Sequence, residues 1–133
     1  MMTARRNLPA LAALTFMALA AAIPARAEGD PAAGKKAFRK CAACHTVEAG
    51  KHRIGPSLAG IVGRTPGTVE GFKYSPAMVE FGAGGKTWDE ATLDAYLADP
   101  KGFIKGNKMA FPGMKNAGER ADVIAYLKSA NGQ

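Results

Sequence analysis

The sequence predicts an all-α fold in which short helices are held apart by long loops. Three observations predict it. Ser, Asp, Thr and Asn stand as caps in front of the apolar stretches that carry helical spacing, glycine and proline break up residues 46–75, and no internal repeat or low-complexity linker interrupts the chain.

The N-terminus has an organisation of its own. Arg5 and Arg6 precede an apolar run from Leu8 to Ile23, and the small-residue site Ala25-Arg26-Ala27 follows. Basic, apolar and A-x-A segments in that order predict a secretory leader cleaved before Glu28. The rival reading is a membrane anchor, but the run falls short of the ~20 apolar residues that cross a bilayer and contains Pro9. Nothing around Arg5-Arg6 supports twin-arginine export, so the pair is read as an ordinary basic region. The chain thus divides into a leader, residues 1–27, and one domain, residues 28–133. A domain this small is marginal on burial alone, so a staple or cofactor is expected. The leader takes three arginines and no acid with it, so the charge falls from +7 to +4. A partner with an acidic face fits that balance. Nucleic acid does not, because the positive charges alternate with acids and no recognition motif accompanies them.

The first helix of the domain should start with Asp30 as N-cap and Pro31 at its first position, and run through Ala33, Ala37 and Phe38 toward Cys41. Its end delivers Cys41-Ala42-Ala43-Cys44-His45, which holds both cysteines of the chain. C-x-x-C-H is the attachment signature of a c-type haem: the two thiols reach neighbouring vinyl groups along one edge of the porphyrin, and the adjacent imidazole ligates the iron. The competing chemistries are weaker. A thioredoxin-like C-x-x-C needs a βαβ context, and no strand pattern precedes Cys41. A zinc site would have to recruit His52 at an unusual spacing. A disulfide across two residues closes too small a loop to stabilise much.

From Thr46 to Ser75 the chain reads as loop, punctuated by Gly50, Gly55-Pro56, Gly60, Gly63 and Pro66-Gly67. So long a loop is unusual in a small domain, but loops can wrap a flat apolar cofactor that serves as their core. Ser75-Pro76 should open a short helix ending near Gly82. Thr87-Trp88-Asp89-Glu90 reads as a capping box before a helix that buries Leu93, Tyr96 and Leu97 and stops at Asp99-Pro100. A second box, Asn116-Ala117-Gly118-Glu119, opens a last helix whose apolar face carries Val123, Ile124 and Leu127, with Asn131-Gly132 as its stop. Between these helices a glycine-flanked loop carries Met109 and Met114. A thioether is a soft axial donor that raises a haem potential, whereas methionine more often fills core gaps. On the residues alone, one of the two is expected to be the sixth ligand.

The domain from end to end resembles the class I cytochromes c, in particular the bacterial cytochrome c2 and mitochondrial-like branch. The resemblance rests on Cys41-Ala-Ala-Cys-His45-Thr-Val-Glu, Gly55-Pro56-Ser57-Leu58-Ala59-Gly60, Gly71-Phe72-Lys73-Tyr74-Ser75, Thr87-Trp88, Leu93-Asp94-Ala95-Tyr96-Leu97, Asp99-Pro100-Lys101, Lys108-Met109-Ala110-Phe111 and Ile124-Ala125-Tyr126-Leu127-Lys128, in family order. It implies the class I fold, with helices and long loops around one haem c joined to Cys41 and Cys44, and crossing terminal helices that meet through Gly34, Phe38, Val123 and Tyr126. It implies His45 and Met109 as iron ligands, with Met114 as a packing residue. Pro56 would accept the hydrogen bond from His45, and Tyr96 would point its hydroxyl at the Met109 sulfur. Arg64, Tyr74 and Trp88 would hold a buried propionate. This sequence also departs from the family: Lys105 stands where proline is usual, Asn107 replaces the usual threonine, Phe81–Gly85 is an insertion, and only Met78 lies near the position of the family's haem-side asparagine.

The function implied is that of a soluble periplasmic one-electron carrier rather than an enzyme. Its partners would be redox proteins with acidic docking faces: a cytochrome bc1-type donor, and an oxidase, reaction centre or reductase as acceptor. Lys40, Lys73, Lys101, Lys105, Lys108 and Lys115 are the docking candidates. The mature chain is expected to be a monomer without stable membrane insertion. Two alternatives stand beside this reading: a haem subunit of a larger dehydrogenase or oxidase, and a haem protein that binds a small ligand at an open sixth site.

Overall fold

The computed structural model describes residues 28–130; the expected leader and the Asn131-Gly132 stop lie outside the described residues. Among the described residues the regular elements are all helical: α1 (Pro31–Ala37), α2 (Pro76–Ala83), α3 (Glu90–Ala98), α4 (Pro100–Phe103) and α5 (Ala117–Ser129).

Helix α1 begins as its cap predicts, with the Asp30 carboxylate accepting from the Ala32 N–H and Pro31 in the first turn. It tightens into a 3₁₀ turn over Phe38–Lys40 that runs directly into Cys41. Asn116 caps α5 by accepting from the Glu119 N–H at 3.0 Å. These two helices cross at a point that only glycine permits. A Cβ on Gly34 would lie 1.9 Å from the Asp122 carbonyl oxygen, so the backbones meet without a side chain between them. Phe38 and Tyr126 pack beside the crossing with ring centroids 5.3 Å apart. The Asp30 N–H donates to Asp122 Oδ1 at 2.8 Å and ties the start of α1 to the same helix.

Helix α3 starts later than its capping box suggested. Asp89, not Thr87, is the cap, accepting from the Thr92 N–H at 2.7 Å. The cause is a long-range pairing: the Trp88 N–H donates to the Arg64 carbonyl at 2.9 Å and the Gly63 N–H to the Trp88 carbonyl at 2.8 Å, which holds Trp88 on the loop. Pro100 likewise does more than end a helix. Asp99 caps the single turn of α4, accepting from the Gly102 N–H at 3.1 Å, and Pro100 takes its first position, where a missing N–H costs nothing. Ser75 caps α2 as expected, and residues 81–85, expected to be an insertion, form the end of that helix, its Gly84 cap and the residue after it. Gly82 is fixed there because a Cβ would sit 1.9 Å from the Pro66 carbonyl oxygen.

The core gathers Phe38, Trp88, Leu93, Tyr96, Met114, Val123, Ile124 and Leu127 between α1, α3 and α5. Residues 46–75 form no helix and are held by polar stitches instead. His52 is one of them: its Nδ1 accepts from the Ser57 N–H at 3.0 Å and its Nε2 donates to the Glu70 carbonyl at 2.8 Å, which joins two loops through one ring. His52→Ala should therefore lower the unfolding free energy by about 1–2 kcal/mol, measured by denaturant titration, since two neutral hydrogen bonds are lost.

Candidate haem site

The turn that follows α1 presents the attachment motif as a rigid unit. The Cys44 and His45 N–H groups both donate to the Cys41 carbonyl, at 3.0 and 2.9 Å. The two cysteines are not joined to each other, and both are partly accessible. His45 is fixed on two sides. Its Nδ1 pairs with the Pro56 carbonyl oxygen at 2.7 Å, which makes Nδ1 the protonated nitrogen and leaves the Nε2 lone pair available. The Gly55 backbone lies against the ring so closely that a Cβ there would meet His45 Cε1 at 2.3 Å. Burial pulls the imidazole below the ordinary histidine value, opposed by the Pro56 carbonyl, so the ring is held in the neutral state that binds metal.

His45 opens into a cavity with predominantly apolar walls, among them Leu58, Ile61, Leu93, Leu97 and Leu127. All nine residues singled out from the sequence line this one cavity: Cys41, Cys44, His45, Pro56, Arg64, Tyr74, Trp88, Tyr96 and Met109. Met114 does not; it is 3% exposed in the core, and its N–H donates to the Leu97 carbonyl at 2.7 Å. The Tyr96 hydroxyl lies 3.8 Å from Met109 Sδ. Burial pushes the Tyr96 phenol up to about 12, so the hydroxyl is a donor at any ordinary pH. Arg64 is held by the Ala59 and Ser57 carbonyls at 3.0 and 3.2 Å. Burial lowers its guanidinium pKa, with Tyr74 opposing, and burial likewise raises the Tyr74 phenol.

The donor set fits a c-type haem. Two thiols, one adjacent to the imidazole in sequence and one a turn before it, stand beside an available ring nitrogen, a thioether shares the cavity, and a guanidinium and a phenol are in place for an acidic group among predominantly apolar walls. Among the docking lysines, two are committed within the chain: Lys40 pairs with Glu119, and Lys115 donates to the Ala98 carbonyl at 3.1 Å. Asn107, seen in the sequence only as a departure, lies at the centre of the methionine loop. Its amide donates to the Pro100 and Ile104 carbonyls at 2.8 and 2.7 Å, and its Oδ1 accepts from the Met109 N–H at 2.9 Å. No sequence signal marked that role, because its partners come together only when α4 forms.

Comparison with known proteins identifies the family. The cytochrome c family model matches residues 31–131. Cytochrome c2 iso-2 of Magnetospirillum fulvum is 60% identical over 93 residues, covering 70% of this chain and 94% of that protein. Cytochrome c2 of Rhodomicrobium vannielii is 45% identical over 122 residues, covering 91% and 95%. The solved structure of cytochrome c2 from Rhodospirillum centenum superposes with a TM-score of 0.73 at 38% identity, covering 76% of this chain and 98% of that one. The chain belongs to the cytochrome c family. Within that family it falls in the bacterial cytochrome c2 branch of class I. It carries one haem c, bound covalently through Cys41 and Cys44, and is an electron-transfer protein rather than an enzyme.

Proposed function

We propose that this chain is a soluble one-electron shuttle of the periplasm, exported with cleavage before Glu28, whose haem iron is held by His45 and Met109. The observation that carries the reading is the meeting of two oriented donors, one nitrogen and one soft sulfur, on one cavity: the His45 imidazole tied to Pro56 at 2.7 Å, and the Met109 thioether beneath the Tyr96 hydroxyl at 3.8 Å. Haem iron ligated in this way gains and loses one electron at a positive potential. The protein residues keep that change inexpensive by staying still. Pro56 and Gly55 hold the imidazole in one orientation, the Tyr96 hydroxyl stands within reach of the sulfur, and the leucines exclude water. Arg64, Tyr74 and Trp88 are assigned to a propionate, whose charge would otherwise be costly to bury. No helix among the described residues is long and apolar enough to cross a membrane.

Redox proteins with acidic faces are the partners assigned to this shuttle. Lys108 lines the mouth of the cavity, and Lys73, Lys101 and Lys105 are exposed. Exposed charges of one sign steer encounter without holding the complex, which suits a carrier that must release quickly. Lys108→Glu should slow electron exchange with an acidic-faced redox partner at low ionic strength by roughly tenfold, and the deficit should shrink as salt rises. Stopped-flow mixing at several salt concentrations measures it.

The test of the function itself is electrochemical. The exported, haem-loaded protein should show one reversible one-electron wave and fail to bind carbon monoxide in the reduced state. Ready carbon monoxide binding would reveal an open sixth site and give the ligand-binding reading the lead. The mass of the purified protein reports leader cleavage directly.

A further inference from the structure

The Asn107 side chain makes three hydrogen bonds of ordinary length and has a fourth partner within reach, an arrangement only one amide orientation allows. Nδ2 faces two carbonyls, of Pro100 and Ile104, at 2.8 and 2.7 Å. Oδ1 faces two donors, the Met109 N–H at 2.9 Å and the Tyr96 hydroxyl at 3.5 Å. A flipped amide would set donors against donors and acceptors against acceptors. The Tyr96 hydroxyl thus has two acceptors within reach, Asn107 Oδ1 at 3.5 Å and Met109 Sδ at 3.8 Å, and only one proton to give.

We infer that Asn107 is a positioning residue that both fixes the Met109 loop and draws the Tyr96 hydroxyl away from the Met109 sulfur, and thereby tunes the redox potential. The inference rests on Met109 as an iron ligand. An amide oxygen is a stronger acceptor than a thioether, so Asn107 weakens the hydrogen bond that Tyr96 makes to sulfur. A sulfur with less of its electron density engaged by a hydroxyl donates more to oxidised iron, which lowers the potential. Asn107 also ties the start of the loop to α4. The Asn107 N–H donates to the Ile104 carbonyl at 3.2 Å, and Gly106, at φ 86°, makes the turn between them. Both effects pass through Met109, one by its sulfur and one by its backbone.

The experiment is a double-mutant cycle on the haem-loaded protein with Asn107→Ala, Tyr96→Phe and the pair. Three readouts are taken: midpoint potential, the sulfur-to-iron charge-transfer band of the oxidised form, and affinity for imidazole as an external ligand. Asn107→Ala should raise the potential when Tyr96 is present, and the rise should vanish in the Tyr96→Phe background, because no hydroxyl is left to redistribute. Imidazole should bind Asn107→Ala about tenfold more tightly than wild type, since the loop loses its side-chain anchors. Asn107→Ser serves if the alanine variant fails to load haem. A serine hydroxyl is too short to bridge both carbonyls and Met109 at once, so the same signs are expected with smaller size. A band in wild type together with strictly additive potential shifts would overturn the Asn107 inference and leave Met109 as ligand. A wild type without the band would overturn both.

Discussion

Met109→Ala is expected to abolish the near-infrared sulfur-to-iron band, lower the midpoint potential by on the order of 0.1–0.3 V within the roughly 0.8 V range that axial ligation spans, and let reduced protein bind carbon monoxide. The control is the neighbouring methionine. Met114 lies in the same loop but is 3% exposed in the core, and its backbone is pinned to Leu97 at 2.7 Å. Met114→Ala should leave the band in place and instead cost about 2–5 kcal/mol of stability, the usual consequence of a cavity in a packed core. The two variants therefore separate a ligand from a packing residue by opposite profiles. Equal loss of the band in both would indicate a loop that fails as a whole, and would remove the assignment of Met109.

The second large effect belongs to the helix crossing. Gly34→Val should destabilise the protein by about 3 kcal/mol or more, since a Cβ 1.9 Å from the Asp122 carbonyl oxygen forces two backbones apart and unpacks Phe38 from Tyr126. Gly34→Ala should fail in the same direction, because the obstacle is backbone and has no rotamer to move. Gly50→Ala is the contrast. That glycine has φ 71° and open space around it, so the cost is backbone strain alone, about 1–2 kcal/mol. Denaturant titration followed by haem absorbance would rank the variants. A Gly34→Val as stable as Gly50→Ala would show that the crossing can slide.

Features governed by neighbouring residues were legible in the sequence. The Asp30, Ser75 and Asn116 caps stand where side-chain chemistry alone puts them, because a cap needs only the N–H groups two or three residues ahead. Thr87 fits the same pattern and was still the wrong cap, since Trp88 is held to Gly63 and Arg64 from across the chain. Pro100 reads as a stop, yet Asp99 lets it start a new turn. The cavity lining was legible through the attachment motif and the family order, which fix residue types at positions. The roles of His52 and Asn107 were not. Each is a ring or amide whose partners lie on loops or turns that come together only in the folded chain.

The tie between the start of α1 and α5 bears on how this protein can be handled. Glu28, Gly29 and Pro31 share a surface cleft with Ala125 and Lys128, and none of the residues of that cleft lines the haem cavity. Both ends of the described chain therefore lie beside one patch that takes no part in the redox chemistry. An affinity tag, a fluorophore or a tether to a bead can be attached there while the cavity mouth stays open to solution. For electrode wiring the same placement is the wrong one, and an anchor near Lys108 is the better choice.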